Sequence, residues 1–123
     1  MQLRTARIFV RDLAPAARFY EEFLGLPLKA DGREHGFCVF SAGPMSLVVE
    51  RVAEDAPAED QALVGRFTGL SFDVEDIQST CTELASLGVA FSGLPERQSW
   101  GGILATLHDP AGNELQLVQQ PRT

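Results

Sequence analysis

Apolar and polar residues alternate along two stretches of the chain, which begin at Thr5 and Gly69. This period of two predicts a β-strand with one buried face in each stretch. Each strand leads to an aspartate, Asp12 or Asp76, which is well placed to cap a following helix. The helical spacing that follows predicts two apolar stripes, Leu13, Ala17, Tyr20 and Leu24 in the first helix and Ile77, Cys81, Leu84 and Leu87 in the second.

Both predicted helices end at a glycine, Gly25 or Gly88, and three further strand patterns follow each of them. The chain therefore repeats a strand–helix–strand–strand–strand unit. We predict one α+β domain over residues 1–123, with module 1 at about 1–52, a linker at about 53–66 and module 2 at about 67–123. Because one module leaves a sheet face uncovered, we expect the two tandem βαβββ modules to form a curved mixed sheet around a concave groove, with the helices outside.

Charge and composition narrow the possible partners of this domain. The 123 residues include 10 Lys and Arg against 17 Asp and Glu, a net charge of −7, which argues against nucleic acid and against an anionic membrane surface. No apolar stretch is long enough for a membrane span, so we expect a cytoplasmic protein. Cys38 and Cys81 lie inside apolar patterns and are interpreted as packed thiols.

Three motifs carry a resemblance to a known family. They are the strand–Asp–Leu start followed by "FYEEFLGL", the "SWGG" before a strand, and the "DPAGNELQL" near the end. Together they resemble the vicinal oxygen chelate superfamily, which includes glyoxalase I, extradiol dioxygenases, fosfomycin-modifying enzymes and bleomycin-binding resistance proteins. The resemblance spans about residues 4–118 and implies a fold that hosts many activities.

The resemblance also implies four positions where metal-dependent members hold their ion. In this chain they carry Thr5, Gly69, Gln116 and either Val48 or Glu50. A catalytic divalent ion usually needs three or more histidine or carboxylate ligands, so we predict no metal and no cofactor. A cluster of His35, His108 and Glu50 is the alternative metal site.

Strand alternation predicts which side chains face away from the helices. The candidate ligand-binding residues on this inner surface are Arg7, Phe9, Phe37, Val48, Glu50, Asp73, Trp100, Thr106 and Gln116. Two alternatives remain open for them: Arg7, Glu50 and Asp73 form an internal ion-pair network that closes the groove, or Trp100 packs on a neighbouring subunit.

The chemistry of these residues favours binding over catalysis. Ser46, Ser71 and Ser99 lack a nucleophile motif, and we predict no catalytic residue. The main hypothesis is a metal-free small-molecule-binding protein that sequesters a planar or cationic antibiotic or metabolite, as the resemblance to bleomycin-resistance proteins implies. The alternatives are a glyoxalase-type lyase or isomerase or a dioxygenase-related enzyme, and a dimeric protein whose pocket has closed. Exposed Phe9, Phe37 and Trp100 further predict a homodimer.

Overall fold

A computed structural model describes residues 1–122, and Thr123, the last residue of the predicted second module, lies outside them. Within the described residues the strands are β1 (Thr5–Val10), β2 (Leu28–Gly32), β3 (Phe37–Ala42), β4 (Met45–Arg51), β5 (Phe67–Asp73), β6 (Ala90–Phe91), β7 (Glu96–Arg97), β8 (Ile103–His108) and β9 (Glu114–Gln119). The α-helices are α1 (Leu13–Arg18), α2 (Ala58–Gln61) and α3 (Ile77–Ser86). None of these helices is long and apolar enough to cross a membrane.

The strands form two open, mixed sheets. The first has the order β1-β4-β3-β2, and the second has the order β5-β9-β8-β6, with β7 also paired to β8. In each sheet the first strand of the module runs parallel to the last, and the other pairs are antiparallel. The predicted α+β class with mixed strand pairing is confirmed, and each module has an open sheet of its own. The concave groove stays a prediction.

The chain divides into two compact units. Unit 1 comprises Met1–Arg66 and Pro110–Asn113, and unit 2 comprises Phe67–Asp109 and the chain from Glu114 onward. The turn that connects β8 to β9 is therefore counted with unit 1, although both of these strands belong to unit 2.

The core of unit 1 lies between its sheet and its helix. Helix α1 packs on β4 and continues into a π-helical turn over Phe19–Phe23. Tyr20 is fully buried there, and its ring centroid lies 6.1 Å from that of Phe40 on β3. The other buried apolar residues of this core are Ile8, Val10, Leu13, Ala16, Ala17, Phe19, Cys38, Leu47, Val49 and Val52.

Unit 2 repeats this arrangement with helix α3 on β8 and β9. Its buried apolar residues are Ile77, Leu84, Val89, Ala105, Leu107, Leu115, Leu117 and Val118. Gln119 fastens the start of the helix to the sheet, because its Oε1 accepts a hydrogen bond of 2.9 Å from the Ile77 amide. Both cysteines are free. Cys38 is a packed thiol as expected, whereas Cys81 is only half-buried, and this burial raises the pKa of its thiol.

The structure differs from the sequence-based expectations in several details, and one is that helix α2 lies within the predicted linker. Asp76 caps α3 by accepting a hydrogen bond of 3.2 Å from the Ser79 amide, but the Asp12 side chain makes no such bond to α1. Helix α3 ends at Ser86, and Leu87, which was expected in its apolar stripe, is 47% exposed. Strand β7 was not predicted, since only two residues form it.

Asn113 holds the turn of residues 110–113 within unit 1. Its buried side chain accepts hydrogen bonds from the Gly65 amide (2.8 Å) and the Arg66 amide (3.3 Å). Its Nδ2 donates to the carbonyl oxygen of Phe9 at 2.8 Å. A single amide side chain therefore joins the turn to the end of β1 and to the segment before β5.

Candidate functional site

The face of the unit 1 sheet opposite the helix carries most of the predicted site residues of module 1. Strand register places Arg7 beside Val48 and Phe9 beside Glu50 across the β1–β4 pair. Phe37 lies on the other side of Glu50, across the β3–β4 pair. Phe9, Phe37, Val48 and Glu50 are half-buried, and Arg7 is exposed. The structure thus brings these five residues together on one surface, which we call the Glu50 face.

The Glu50 face contains one ion pair. Arg7 Nη1 lies 3.5 Å from Glu50 Oε1, and the two side chains are 60% and 39% exposed. Asp73, the third member of the alternative network, lies on β5 of unit 2. Its Oδ1 accepts a hydrogen bond of 3.1 Å from Gln120 Nε2.

The ring of Phe37 leans towards the edge strand β2. A Cβ atom added at Gly32, its partner across the β2–β3 pair, would overlap the outer carbons of this ring. The phenyl group therefore covers Gly32.

The corresponding face of the unit 2 sheet is polar. Gln116 lies between Ser71 on β5 and Thr106 on β8. Its Nε2 reaches Thr106 Oγ1 at 3.5 Å, a distance at the limit for a hydrogen bond. Both side chains are only half-buried, so the amide of Gln116 keeps capacity to bond a ligand.

A serine–histidine contact on the same face was not predicted. Ser92 Oγ lies 2.5 Å from Nε2 of His108, which stands next to Thr106 on the same face of β8. Glu114 faces His108 across the β8–β9 pair. Strand alternation does not reveal Ser92, because this residue lies in a bend that follows β6.

Trp100 lies at the tip of the β7–β8 hairpin. The turn is closed by hydrogen bonds from the Gln98 amide to the Gly102 carbonyl (2.8 Å) and from the Gly101 amide to the Gln98 carbonyl (3.0 Å). The indole lies on Gly102, where an added Cβ would overlap its six-membered ring, and it is still 51% exposed. The six-membered ring of the indole thus lies against Gly102, and half of the side chain is open to solvent.

Among the described residues, His35 and His108 do not form the alternative metal site with Glu50. His35 was expected at a strand end, but the structure places it in a short 3-10 helix, Arg33–His35, with its side chain exposed. Across residues 1–122, no group of three or more His, Cys, Asp or Glu side chains has a geometry that suits a metal ion.

The strand register bears on the choice between Val48 and Glu50. At the start of the sequence repeat, each residue of module 2 lies 64 positions after its counterpart in module 1, as Asp76 does after Asp12. Gly69 is therefore the counterpart of Thr5. By the same offset, Ser71 is the counterpart of Arg7. Arg7 pairs with Val48, and Ser71 pairs with Gln116. Val48 is therefore the residue of module 1 whose strand position matches that of Gln116.

Comparison with known proteins identifies the family. The profile of the Glyoxalase/Bleomycin resistance protein/Dioxygenase superfamily matches residues 2–117. The chain belongs to this superfamily. The predicted resemblance is confirmed.

Several proteins resemble this chain over nearly their whole length. YraH of Bacillus subtilis (strain 168), described as uncharacterized, is 29% identical over 126 residues, which cover 97% of this chain and 98% of YraH. A superfamily member from Sphaerobacter thermophilus DSM 20745 is 25% identical, with a TM-score of 0.82 and 98% coverage of both chains. TnmS3 from Streptomyces sp. CB03234, an antibiotic binding protein, is 29% identical, with a TM-score of 0.77, and the match covers 99% of this chain and 97% of TnmS3.

Proposed function

We propose that this protein binds a planar or cationic small molecule without the help of a metal, and that it sequesters an antibiotic or a metabolite. One observation carries the proposal. At the four positions that the family resemblance assigns to metal ligands, the chain has Thr5, Gly69, Gln116 and, by strand register, Val48. Two of these residues have no side-chain donor, and the other two are neutral, so the set does not fit a divalent ion.

The similarity to TnmS3 supports a binding role. That protein is described as antibiotic binding, and it shares 29% of its residues with this chain. The cytoplasmic location and the antibiotic or metabolite class of the ligand are parts of the proposal.

Each candidate side chain has a proposed role in ligand binding. Trp100 offers a half-exposed indole for stacking, and Gln116 with Thr106 offers neutral hydrogen bonds. Phe9 and Phe37 offer apolar contact on either side of Glu50, and Val48 adds apolar surface beside Arg7. Glu50 and Asp73 supply negative charge, which the net charge of −7 reinforces for a cationic ligand.

A thermal-shift screen of planar and cationic natural products tests the proposal. Each compound is added once with EDTA and once with Ni²⁺, Zn²⁺, Mn²⁺ or Fe²⁺, because binding to the native state raises the melting temperature. We expect at least one compound to raise the melting temperature equally in both conditions. For that compound, Trp100→Ala is expected to weaken binding by about 1–3 kcal/mol and Gln116→Ala by about 1 kcal/mol.

Two results would contradict the proposal. One is a tightly held equivalent of metal in the purified protein together with binding that EDTA abolishes, which would favour a glyoxalase-type or dioxygenase-related enzyme. The other is the absence of any compound that raises the melting temperature, which would favour the closed-pocket protein.

A further inference from the structure

Glu50 is the carboxylate of the Glu50 face, and it lies between two strands that carry phenylalanines. Phe9 and Phe37 occupy the neighbouring strands at the same level of the sheet. Strands lie about 4.8 Å apart, so the two phenyl-bearing strands are separated by about 10 Å with the carboxylate strand between them. A carboxylate attracts an organic cation by its charge, and Phe9 and Phe37 on the neighbouring strands give this surface apolar area that the ring system of a ligand can cover.

The Arg7 guanidinium already forms an ion pair with the Glu50 carboxylate. Its single N–O distance of 3.5 Å to Glu50 is longer than the 2.7–2.9 Å typical of a charge-assisted hydrogen bond. By contrast, Arg18 Nε lies 2.7 Å from Glu22 Oε2 on the first helical segment. Because both members of the Arg7–Glu50 pair are well exposed, solvent screens their attraction, and little free energy is needed to separate them.

The Arg7 side chain has an alternative position available when it separates from Glu50. It is long and flexible, and its register neighbour on β4 is the apolar Val48, along which its methylene groups can lie while the guanidinium remains in water. The second cation near this face, Lys29, donates a hydrogen bond of 3.1 Å to Ser46 Oγ. Ser46 is four residues from Glu50 along β4, a distance of about 13 Å at the usual rise of a strand.

From these contacts we propose that Arg7 is an internal competitor for the Glu50 carboxylate, and that it sets the selectivity of the site for ligands that carry a cation. This inference rests on the proposed function. An organic cation binds to Glu50 in exchange for the Arg7 guanidinium, which moves into solvent. Arg7 therefore lowers the affinity for every cationic ligand and leaves the affinity for neutral ligands nearly unchanged.

Three probes with one ring system and different charges test the proposal. At pH 8, 9-aminoacridine is a cation, acridine is neutral and acridine-9-carboxylate is an anion. Isothermal titration calorimetry measures their dissociation constants for the natural protein and for Arg7→Gln. We expect Arg7→Gln to bind 9-aminoacridine up to about fivefold more tightly, the scale of an exposed ion pair, and to bind acridine with unchanged affinity.

Lys29→Gln is the matched control, because it removes one positive charge near the same face without touching Glu50. It is expected to change the affinity for 9-aminoacridine by less than about 1.5-fold, since exposed charges about 13 Å apart exceed the screening length at physiological salt. Glu50→Gln is expected to weaken binding of the cation. In the Glu50→Gln background, the further change Arg7→Gln should have no effect, because the carboxylate for which Arg7 competes is absent.

Salt provides a second measurement that a purely steric role of Arg7 would not change. In the natural protein one cation replaces another, so the affinity for 9-aminoacridine should depend weakly on salt. In Arg7→Gln the attraction to Glu50 is uncompensated, and the same increase in salt should reduce the affinity more steeply.

The outcomes separate this inference from the proposed function. If Arg7→Gln tightens all three probes equally, or weakens 9-aminoacridine, the competitor role is wrong and the binding function stands. If neither the natural protein nor any variant binds a planar probe of any charge, the proposed function and the inference are both wrong.

Discussion

Gly102 supports the indole of Trp100, so a side chain added at this residue is expected to displace the ring. In Gly102→Ala the added methyl group would overlap the indole, which must leave its position on the backbone. We expect a more exposed tryptophan, with red-shifted emission and faster iodide quenching, and a stability cost of about 1 kcal/mol. Trp100 is the chain's only tryptophan, so its emission reports this site alone.

Gly101→Ala is the control for this substitution. Its Cβ would lie 3.4 Å from the ring of Pro121 and not against the indole, but its φ of 99° strains any residue with a side chain. This variant should lose stability with less change in emission. Unchanged emission in Gly102→Ala would show that the indole does not rest on Gly102 in solution.

The alternation of apolar and polar residues predicts which sheet face a residue lies on better than it predicts which residues its side chain contacts. Alternation placed Phe9, Phe37 and Glu50 on one face, and the strand register agrees. It did not predict that Phe37 covers Gly32 or that Ser92 meets His108. Such contacts depend on rotamers and on a backbone bend, and neither follows from a period of two.

At the scale of elements, the repeat offers a matched pair of helix caps. Asp76→Ala should destabilise the protein by about 1 kcal/mol, because it removes the hydrogen bond from the Ser79 amide at the start of α3. Asp12→Ala should change stability by less than about 0.5 kcal/mol, because that side chain makes no cap bond. Urea unfolding of both variants measures the difference, and equal losses would contradict it.

The elements themselves were largely predictable, because each is defined by a local pattern. The two long helical segments, their glycine stops and the main strands follow the apolar periodicity, and Gly25 and Gly88 have the positive φ expected of helix ends. The π-helical turn at Phe19–Phe23 and the two-residue strand β7 were not predictable. Both are too short to carry a period of their own, and tertiary packing decides them.

For the whole molecule, homodimer formation stays a prediction. Trp100, Leu94 and Phe67 of unit 2 are 51%, 84% and 55% exposed, and each is an apolar side chain that a second subunit could cover. We expect sedimentation equilibrium at micromolar concentration to give twice the chain mass. Trp100→Ser should weaken the dimer, and Leu87→Ser, which changes an exposed leucine on α3, should not. A monomer for the natural protein would contradict the prediction.

The turn fastened by Asn113 determines whether either half of the duplicated chain can exist alone. Unit 1 is not a continuous segment of the chain, because it includes residues 110–113. These residues follow Phe67–Asp109, the larger part of unit 2, in the sequence. A polypeptide cut after Arg66 would lack the amide that bonds to Phe9, Gly65 and Arg66, and it would leave their backbone groups to find other partners. We therefore expect that residues 1–66 alone do not form all the contacts of unit 1, so that the two repeats in the sequence are not autonomous folding units.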